Sequence, residues 1–184
     1  MNNQSTSTAA SVETYVIDPD HSSVAFKIRH FVTKVLGVFG KLEGAIILDR
    51  GDLEKSSVSV TIDIGSIYTA NDKRDAHLKS ADFFDADKYP KATFVSTAWK
   101  KTGDNKYDIT GNLTLHGVSK PVVLHAELLA FGADGDGLPL VGWQASATLS
   151  KKEFGIAGPA VLATVLGDGI AIAINIEAAV EPGK

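Results

Sequence analysis

Hydrophobic and polar residues alternate along most of this 184-residue chain, with the period of two that is typical of half-buried β-strands. Stretch 22–30 is an example, and its shared apolar face consists of Val24, Phe26, Ile28 and His30. Stretches 57–64 and 170–176 repeat the pattern with Val or Ile at every second position. The alternation therefore predicts an all-β protein and places His30 on an apolar face.

About eight strands follow from the pattern, and the turns between them are mostly short, which favours antiparallel pairing. Glycines within the long stretch 36–49 (Gly37, Gly40 and Gly44) indicate bends of the kind that a curved sheet requires. The two features together favour a closed up-and-down barrel over a sandwich. Residues 1–14 and 181–184 are predicted to be tails on a single domain at 15–180.

Three strand-like stretches carry more specific expectations. In 91–100 the alternation places Phe94 on one face and Val95 and Trp99 on the other. Stretch 118–131 is apolar on both faces, so its outward Leu129 and Phe131 predict a homodimer contact. Stretch 159–166 follows a proline and predicts about two helical turns.

Stretch 66–90 interrupts the alternation. Thr69 followed by Asp72 fits the signal for the start of a helix. On that helix Asp75 and Lys79 would form an exposed pair. Two interpretations remain open: a connector that plugs the core, or a lid at the opening of the barrel.

The same helix brings Arg74, His77 and Leu78 to one side. An Arg and a His at the opening of a pocket suit an anionic or carbonyl head group. Because charge inside an apolar barrel is unfavourable, we expect Arg74 at the rim or paired with Asp75. The inward apolar residues that would hold an apolar tail are Phe26, Ile28, Phe94, Leu113 and Leu115.

Composition narrows the range of possible functions and locations. The net charge of −4 does not favour nucleic-acid binding, and without cysteines there are no disulfides or thiolate metal sites. Residues 1–14 lack the features of a signal peptide, and no stretch reaches the ~20 apolar residues of a membrane span. We expect a cytoplasmic protein, or a periplasmic one if a leader was removed.

The five histidines show no metal-binding spacing, and no G-x-S-x-G motif is present, so the residues indicate no metal, cofactor or hydrolase nucleophile. Two alternatives to ligand binding remain. One is an enzyme that acts on an apolar substrate with His30, Arg74, Asp75 and His77. The other is an interaction module whose barrel is filled by side chains.

A series of short motifs, in order along the chain, carries a family resemblance. They are Asp18-x-x-His21-Ser22, Val24-x-Phe26-x-Ile28-x-His30, Gly37-x-Phe39-Gly40, Thr69-x-x-x-x-Arg74-Asp75-x-His77-Leu78, Asp82-Phe83-Phe84-Asp85, Tyr89-Pro90-Lys91-x-Thr93-Phe94, Gly111-x-Leu113-Thr114-Leu115-His116-Gly117-Val118 and Phe154-Gly155. With these motifs the chain resembles the YceI-like family of lipocalin-like, polyisoprenoid-binding barrels over about residues 15 to 180.

The resemblance implies an eight-stranded antiparallel lipocalin-like barrel that holds a long isoprenoid lipid, such as a polyprenyl phosphate or quinone, and no catalytic activity. The stretch Ser150-Lys151-Lys152-Glu153-Phe154 stands where relatives often carry Arg and Asp just before Phe-Gly, so a head-group role of that Arg is lost here or passes to Lys151. The candidate ligand-binding residues are Phe26, Ile28, His30, Phe39, Arg74, His77, Leu78, Phe83, Phe84, Phe94, Leu113, Leu115, Trp143 and Phe154.

Overall fold

The computed structural model describes residues 12–181, which form eleven antiparallel strands and one short α-helix. The strands are β1 (Val12–Ile17), β2 (Ser23–His30), β3 (Thr33–Phe39), β4 (Leu42–Asp49), β5 (Ser57–Asp63), β6 (Ile67–Tyr68), β7 (Lys91–Gly103), β8 (Lys106–Leu115), β9 (Val118–Ala133), β10 (Pro139–Ser150) and β11 (Leu166–Val180). The helix α1 (Asp72–Lys79) lies between β6 and β7. The prediction of an all-β fold with a helical insert is confirmed.

Eight of the strands form a closed ring in the order β1-β4-β5-β7-β8-β9-β10-β11, and pairing between β11 and β1 closes it. This confirms the predicted eight-stranded antiparallel barrel. The three additional strands lie outside the ring in the order β2-β3-β6. Strand β2 corresponds to the predicted stretch 22–30. Strand β3 was not anticipated separately, because the predicted stretch 36–49 divides at Gly40 into β3 and β4, and the two-residue β6 lies within the stretch 66–90.

Strand β11 pairs along its first half with β2 and along its second half with β1. After β1 the chain turns through residues 18–22. It then pairs with β11 a second time, as strand β2. Ser22 holds this return in place, because its hydroxyl donates to the Glu177 carbonyl at 3.1 Å and accepts from the Glu177 amide at 3.0 Å. The β2–β3 hairpin thus extends one side of the barrel beyond the closed ring.

The helix begins differently from the prediction. Asn71, rather than Thr69, is the N-cap, and its side-chain oxygen accepts from the Arg74 amide at 2.9 Å. Ala70 has a left-handed backbone (φ 60°), which turns Thr69 away from the start of the helix. The expected exposed pair of Asp75 and Lys79 is also wrong, because Asp75 is buried against Thr69.

Two expectations about stretches 91–100 and 159–166 are corrected. The register between β7 and β8 shifts between Ser96 and Ala98, so Trp99 faces the interior together with Phe94, while Val95 stays outside. A bulge inserts one residue and therefore inverts the alternation beyond it. Stretch 159–166 contains a single 3-10 turn, Ala160–Leu162, instead of two helical turns.

The boundaries of the domain shift slightly. Strand β1 begins at Val12, so residues 12–14, predicted as part of the tail, pair with β4. Residues 1–11 and 182–184 lie outside the described part of the chain. Within residues 12–181, no helix has the length and apolar character needed to cross a membrane. Leu129 and Phe131 do face outward, and the homodimer stays a prediction.

An exposed ion pair follows β1. His21 Nδ1 lies 2.8 Å from Asp18 Oδ2 and 3.8 Å from Glu177 Oε1. The hydrogen bond to Asp18 raises the pKa of His21 above its ordinary 6.5 and lowers the pKa of Asp18 below 3.8. The His21 contribution to stability is complete below pH 6.5 and is lost as the pH rises through the raised pKa. The Asp18 contribution is present above 3.8 and is lost as the pH falls through the lowered pKa.

We therefore expect the difference in free energy of unfolding between the wild type and His21→Gln to shrink as the pH rises from about 6 towards 9. Urea unfolding at several pH values measures this difference. Asp18→Asn serves as the matched control, because it removes the main partner of His21 and should flatten the same pH dependence. A difference that stays constant with pH would show that the pair makes no contribution.

Candidate functional site

The barrel encloses an apolar cavity of about 510 Å³. Its volume lies within the ~300–1,000 Å³ range of small-molecule pockets, and this contradicts the alternative of a barrel filled by side chains. The small residues Ala145 and Ala147 of β10 face inward and leave room. Ala171 and Ala173 of β11 face outward, because the isoleucines of that strand take the inward positions.

Thirteen of the fourteen candidate residues line this cavity. They are Phe26, Ile28, His30, Phe39, Arg74, His77, Leu78, Phe83, Phe84, Phe94, Leu113, Leu115 and Trp143. Phe154 is the exception. It is fully buried behind the wall with Phe83 and Ile156, and its carbonyl lies 3.1 Å from His116 Nδ1. Phe154 was predicted to face the ligand, but it does not line this cavity, since the 3-10 turn Lys152–Phe154 directs its ring into the core.

The candidate set omitted most of the aliphatic lining residues and three residues of other types: Lys73, Trp99 and Lys151. Trp99 was assigned to the outer face because the bulge in β7 is not visible in the alternation. Lys73 precedes Arg74 on α1, and no sequence feature indicated that it would line the cavity. Lys151 was indicated as a possible head-group contact by its place in the motif before Phe154, but the motif alone did not establish that it is buried.

Every ionisable side chain that lines the cavity is basic: His30, Lys73, Arg74, His77 and Lys151. Among residues 12–181, no Asp or Glu lines it. The five groups come from the end of β2, from the insert, and from the end of β10, and these segments meet at one end of the barrel. This basic rim, as we call the five residues, favours an anionic or hydrogen-bond-accepting group at that end.

Arg74 is held by Thr69. Its Nε donates to Thr69 Oγ1 and its Nη2 donates to the Thr69 carbonyl, each at 2.7 Å. The Thr69 hydroxyl in turn donates to Asp75 Oδ1, which also accepts the Thr69 amide at 2.9 Å. The expected link between Arg74 and Asp75 is therefore indirect, with Thr69 between them. This network fixes the guanidinium at the wall and leaves its remaining N–H donors for a ligand.

His77 occupies the outer part of the rim. Its Nε2 lies 2.8 Å from Asp82 Oδ2, and its ring packs edge-on against Phe83 with centroids 5.0 Å apart. Arg74, His77 and Leu78 share one side of α1, as predicted. Asp75 faces the other way, into the Thr69 contacts, so the four polar groups of the enzyme alternative do not converge on the cavity.

Lys151 is buried at the wall of the cavity without a carboxylate partner among residues 12–181. Its Nζ donates to the carbonyls of Ala157, at 2.9 Å, and Ile156, at 3.4 Å. Asp168 stabilises the surrounding loop by accepting from Ser150 Oγ at 2.6 Å, and this hydrogen bond lowers the pKa of Asp168. Lys151 therefore brings a positive charge, held only by neutral carbonyls, to the edge of the cavity.

The end of the cavity away from the insert is aromatic. Trp99 and Trp143 pack edge-on with centroids 5.4 Å apart, and Tyr107 packs against both. Within the described chain neither indole N–H has a hydrogen-bond acceptor. The two ends of the cavity thus differ in chemistry, with an apolar aromatic floor and a basic opening.

A closed antiparallel ring around an apolar cavity with a basic opening defines a lipocalin-like barrel. The chain belongs to the YceI-like family, because the model of the YceI-like domain matches residues 15–178. Its bacterial relatives include a UPF0312 protein of Pseudomonas savastanoi pv. phaseolicola, 42% identical over 79% of this chain and 77% of the relative. A UPF0312 protein of Pectobacterium atrosepticum is 43% identical over 76% and 74%.

Solved structures share the barrel. The YceI protein of Campylobacter jejuni superposes with a TM-score of 0.74 at 33% identity, over 82% of this chain and 88% of that protein. BcnA of Burkholderia cenocepacia gives a TM-score of 0.80 at 24% identity, over 88% and 98%. A polyisoprenoid-binding domain of Saccharophagus degradans gives 0.73 at 16%, over 91% and 98%. The last two, at low identity, indicate a shared fold.

Proposed function

We propose that this protein binds a long apolar lipid of the isoprenoid type, such as a polyprenyl phosphate or quinone, for storage, transport or sequestration. The tail would occupy the cavity and the polar end would meet the basic rim. The observation that carries the proposal is the apolar cavity, whose ionisable lining groups among residues 12–181 are all basic and lie at one end. The polyisoprenoid-binding domain of Saccharophagus degradans, which shares the barrel, supports it.

The expected affinity is sufficient for a carrier. A tail of ~20 carbons at about 0.3 kcal/mol per atom contributes ~6 kcal/mol, which corresponds to a dissociation constant of tens of micromolar. A tail twice as long would bind far more tightly. Placing the polar end at the rim avoids the large desolvation penalty that the aromatic floor would impose on a charged group.

Native mass spectrometry of gently purified protein tests the proposal directly. We expect a mass increment that disappears on solvent extraction, with a prenyl lipid in the extract. Protein that carries no lipid and gains none on incubation with geranylgeranyl phosphate or geranylgeraniol would refute lipid binding. The two probes share one tail, so together they also report on the polar end.

Replacing Arg74 by Ala is expected to weaken geranylgeranyl phosphate binding about tenfold more than geranylgeraniol binding, because only the phosphate gains charge-assisted hydrogen bonds from the guanidinium. Isothermal titration with both lipids measures the ratio of affinities. Lys79→Ala is the matched control, since Lys79 lies on the same helix but does not line the cavity. An unchanged ratio together with lower thermal stability would assign Arg74 a purely structural role.

A further inference from the structure

The β2–β3 hairpin ends in two large apolar residues that contact water. Phe31 is 58% exposed and Val32 is fully exposed. Val161 is 80% exposed and lies on the neighbouring segment 160–165. The Phe31 amide donates a hydrogen bond to the Val165 carbonyl at 2.9 Å and so joins the hairpin to this segment. The three residues are adjacent to Leu162, His30 and the opening of the cavity. We call Phe31, Val32 and Val161 the apolar tip.

The backbone conformation at position 31 makes Phe an unfavourable residue there for the stability of the isolated protein. Phe31 has a left-handed conformation (φ 50°) in a two-residue hairpin turn, a position where Asn or Gly is favoured. A bulky side chain there strains the backbone and, in the isolated protein, gains little burial in return. Contact of Phe31 with another molecule would account both for a Phe at this position and for its exposure.

The hairpin is also basic, although the chain as a whole is acidic. Residues 21–42 contain four Lys or Arg and no Asp or Glu, although the chain as a whole has a net charge of −4. Lys27, Arg29 and Lys34 are exposed, and none forms an ion pair with a carboxylate of residues 12–181. Asp168, on the adjoining strand β11, is already bonded to Ser150 and to the Lys152 amide.

We propose that the apolar tip and these cations dock the barrel opening onto an anionic lipid bilayer. Exposed aromatic and aliphatic side chains partition into the interface between head groups and acyl chains. Lys and Arg beside them are attracted to the negative charge of an anionic leaflet. A second copy of the chain is a poorer partner, because a symmetric contact would bring the same cations together. Docking here would place the cavity opening at the membrane surface.

Co-sedimentation with vesicles tests the docking. We expect the wild type to bind vesicles of equal parts phosphatidylglycerol and phosphatidylcholine, and to bind much less to phosphatidylcholine alone. Phe31→Asn/Val32→Ser should reduce binding about tenfold without lowering the melting temperature, because Asn suits the left-handed position. Lys27→Glu/Lys34→Glu should reduce it at least as much and remove its dependence on salt.

Matched controls at the opposite end of the barrel are Lys100→Glu/Lys106→Glu for charge and Leu129→Ser for an exposed apolar residue, and all three positions are exposed. These should bind vesicles like the wild type. Equal losses in the controls, absence of binding to the anionic vesicles, or self-association through the hairpin in place of vesicle binding would overturn the inference.

Docking goes beyond the proposed cavity function, and a variant with a blocked cavity separates the two. Ala145→Trp places a large side chain in the cavity, far from the hairpin tip, and should sediment with anionic vesicles as the wild type does. Loss of vesicle binding in this variant would mean that sedimentation reports extraction of lipid into the cavity, which overturns docking. Wild-type protein that docks on anionic vesicles but takes no lipid into its cavity would refute only the proposed function.

Discussion

Ala145→Trp is expected to weaken binding of geranylgeranyl phosphate at least about a hundredfold, or by ~2.8 kcal/mol. Ala145 faces the cavity from β10, opposite Ile174 of β11 and Ala126 of β9. An indole at this position would occupy space that the tail requires, while the empty cavity limits the strain of overpacking. Titration of the lipid followed by native mass spectrometry measures the change.

Ala173→Trp provides the matched control. Ala173 pairs with Ser146, next to Ala145 across the two strands, but its side chain faces outward. The same substitution there should leave lipid affinity unchanged. Equal affinities for the wild type and Ala145→Trp would place the lipid outside the barrel and contradict the proposed function.

Asp75→Ala is expected to lower the free energy of unfolding by about 3 kcal/mol, because it leaves the buried Thr69 amide and hydroxyl without their acceptor. The change would also release Thr69 from its role of holding Arg74. Urea unfolding with an unchanged slope measures the loss as a shift of the midpoint.

The exposed Asp72, on the first turn of the same helix, is the control for the loss of a negative charge. Asp72→Ala should lower stability by no more than about 1 kcal/mol, the size of a helix-dipole effect. A double-mutant cycle with Thr69→Val isolates the coupling between the two residues. Similar losses for Asp75→Ala and Asp72→Ala would show that the buried network adds nothing to stability.

Alternation was sufficient to predict part of the cavity wall. Phe26, Ile28 and His30 lie on the inward face of β2, because a strand of period two has no freedom to place them otherwise. The same logic failed at Trp99, where a bulge changes the face after Ser96. A bulge depends on how two strands pair, and pairing is not recorded in the periodicity of either strand.

The helical insert shows a different limit to prediction from the sequence. Helical spacing correctly grouped Arg74 with His77 and Leu78, since that grouping depends only on 3.6 residues per turn. The environment of Asp75 was not predictable in the same way, because its burial depends on Thr69 folding back across the start of the helix. Lys151 is a similar case, since neutral carbonyls of its own loop receive its ammonium group.

The pairing of β11 with both β1 and β2 has a consequence for synthesis on the ribosome. Ser22 and Glu177 contact each other although they are 155 positions apart, so the earliest strands emerge long before their partner. Until β11 is made, β10 on one side and β1 and β2 on the other remain open sheet edges, which are prone to pair with other chains. Closure is therefore a single late event, and a chain that lacked β11 would be an open, aggregation-prone sheet rather than a smaller barrel.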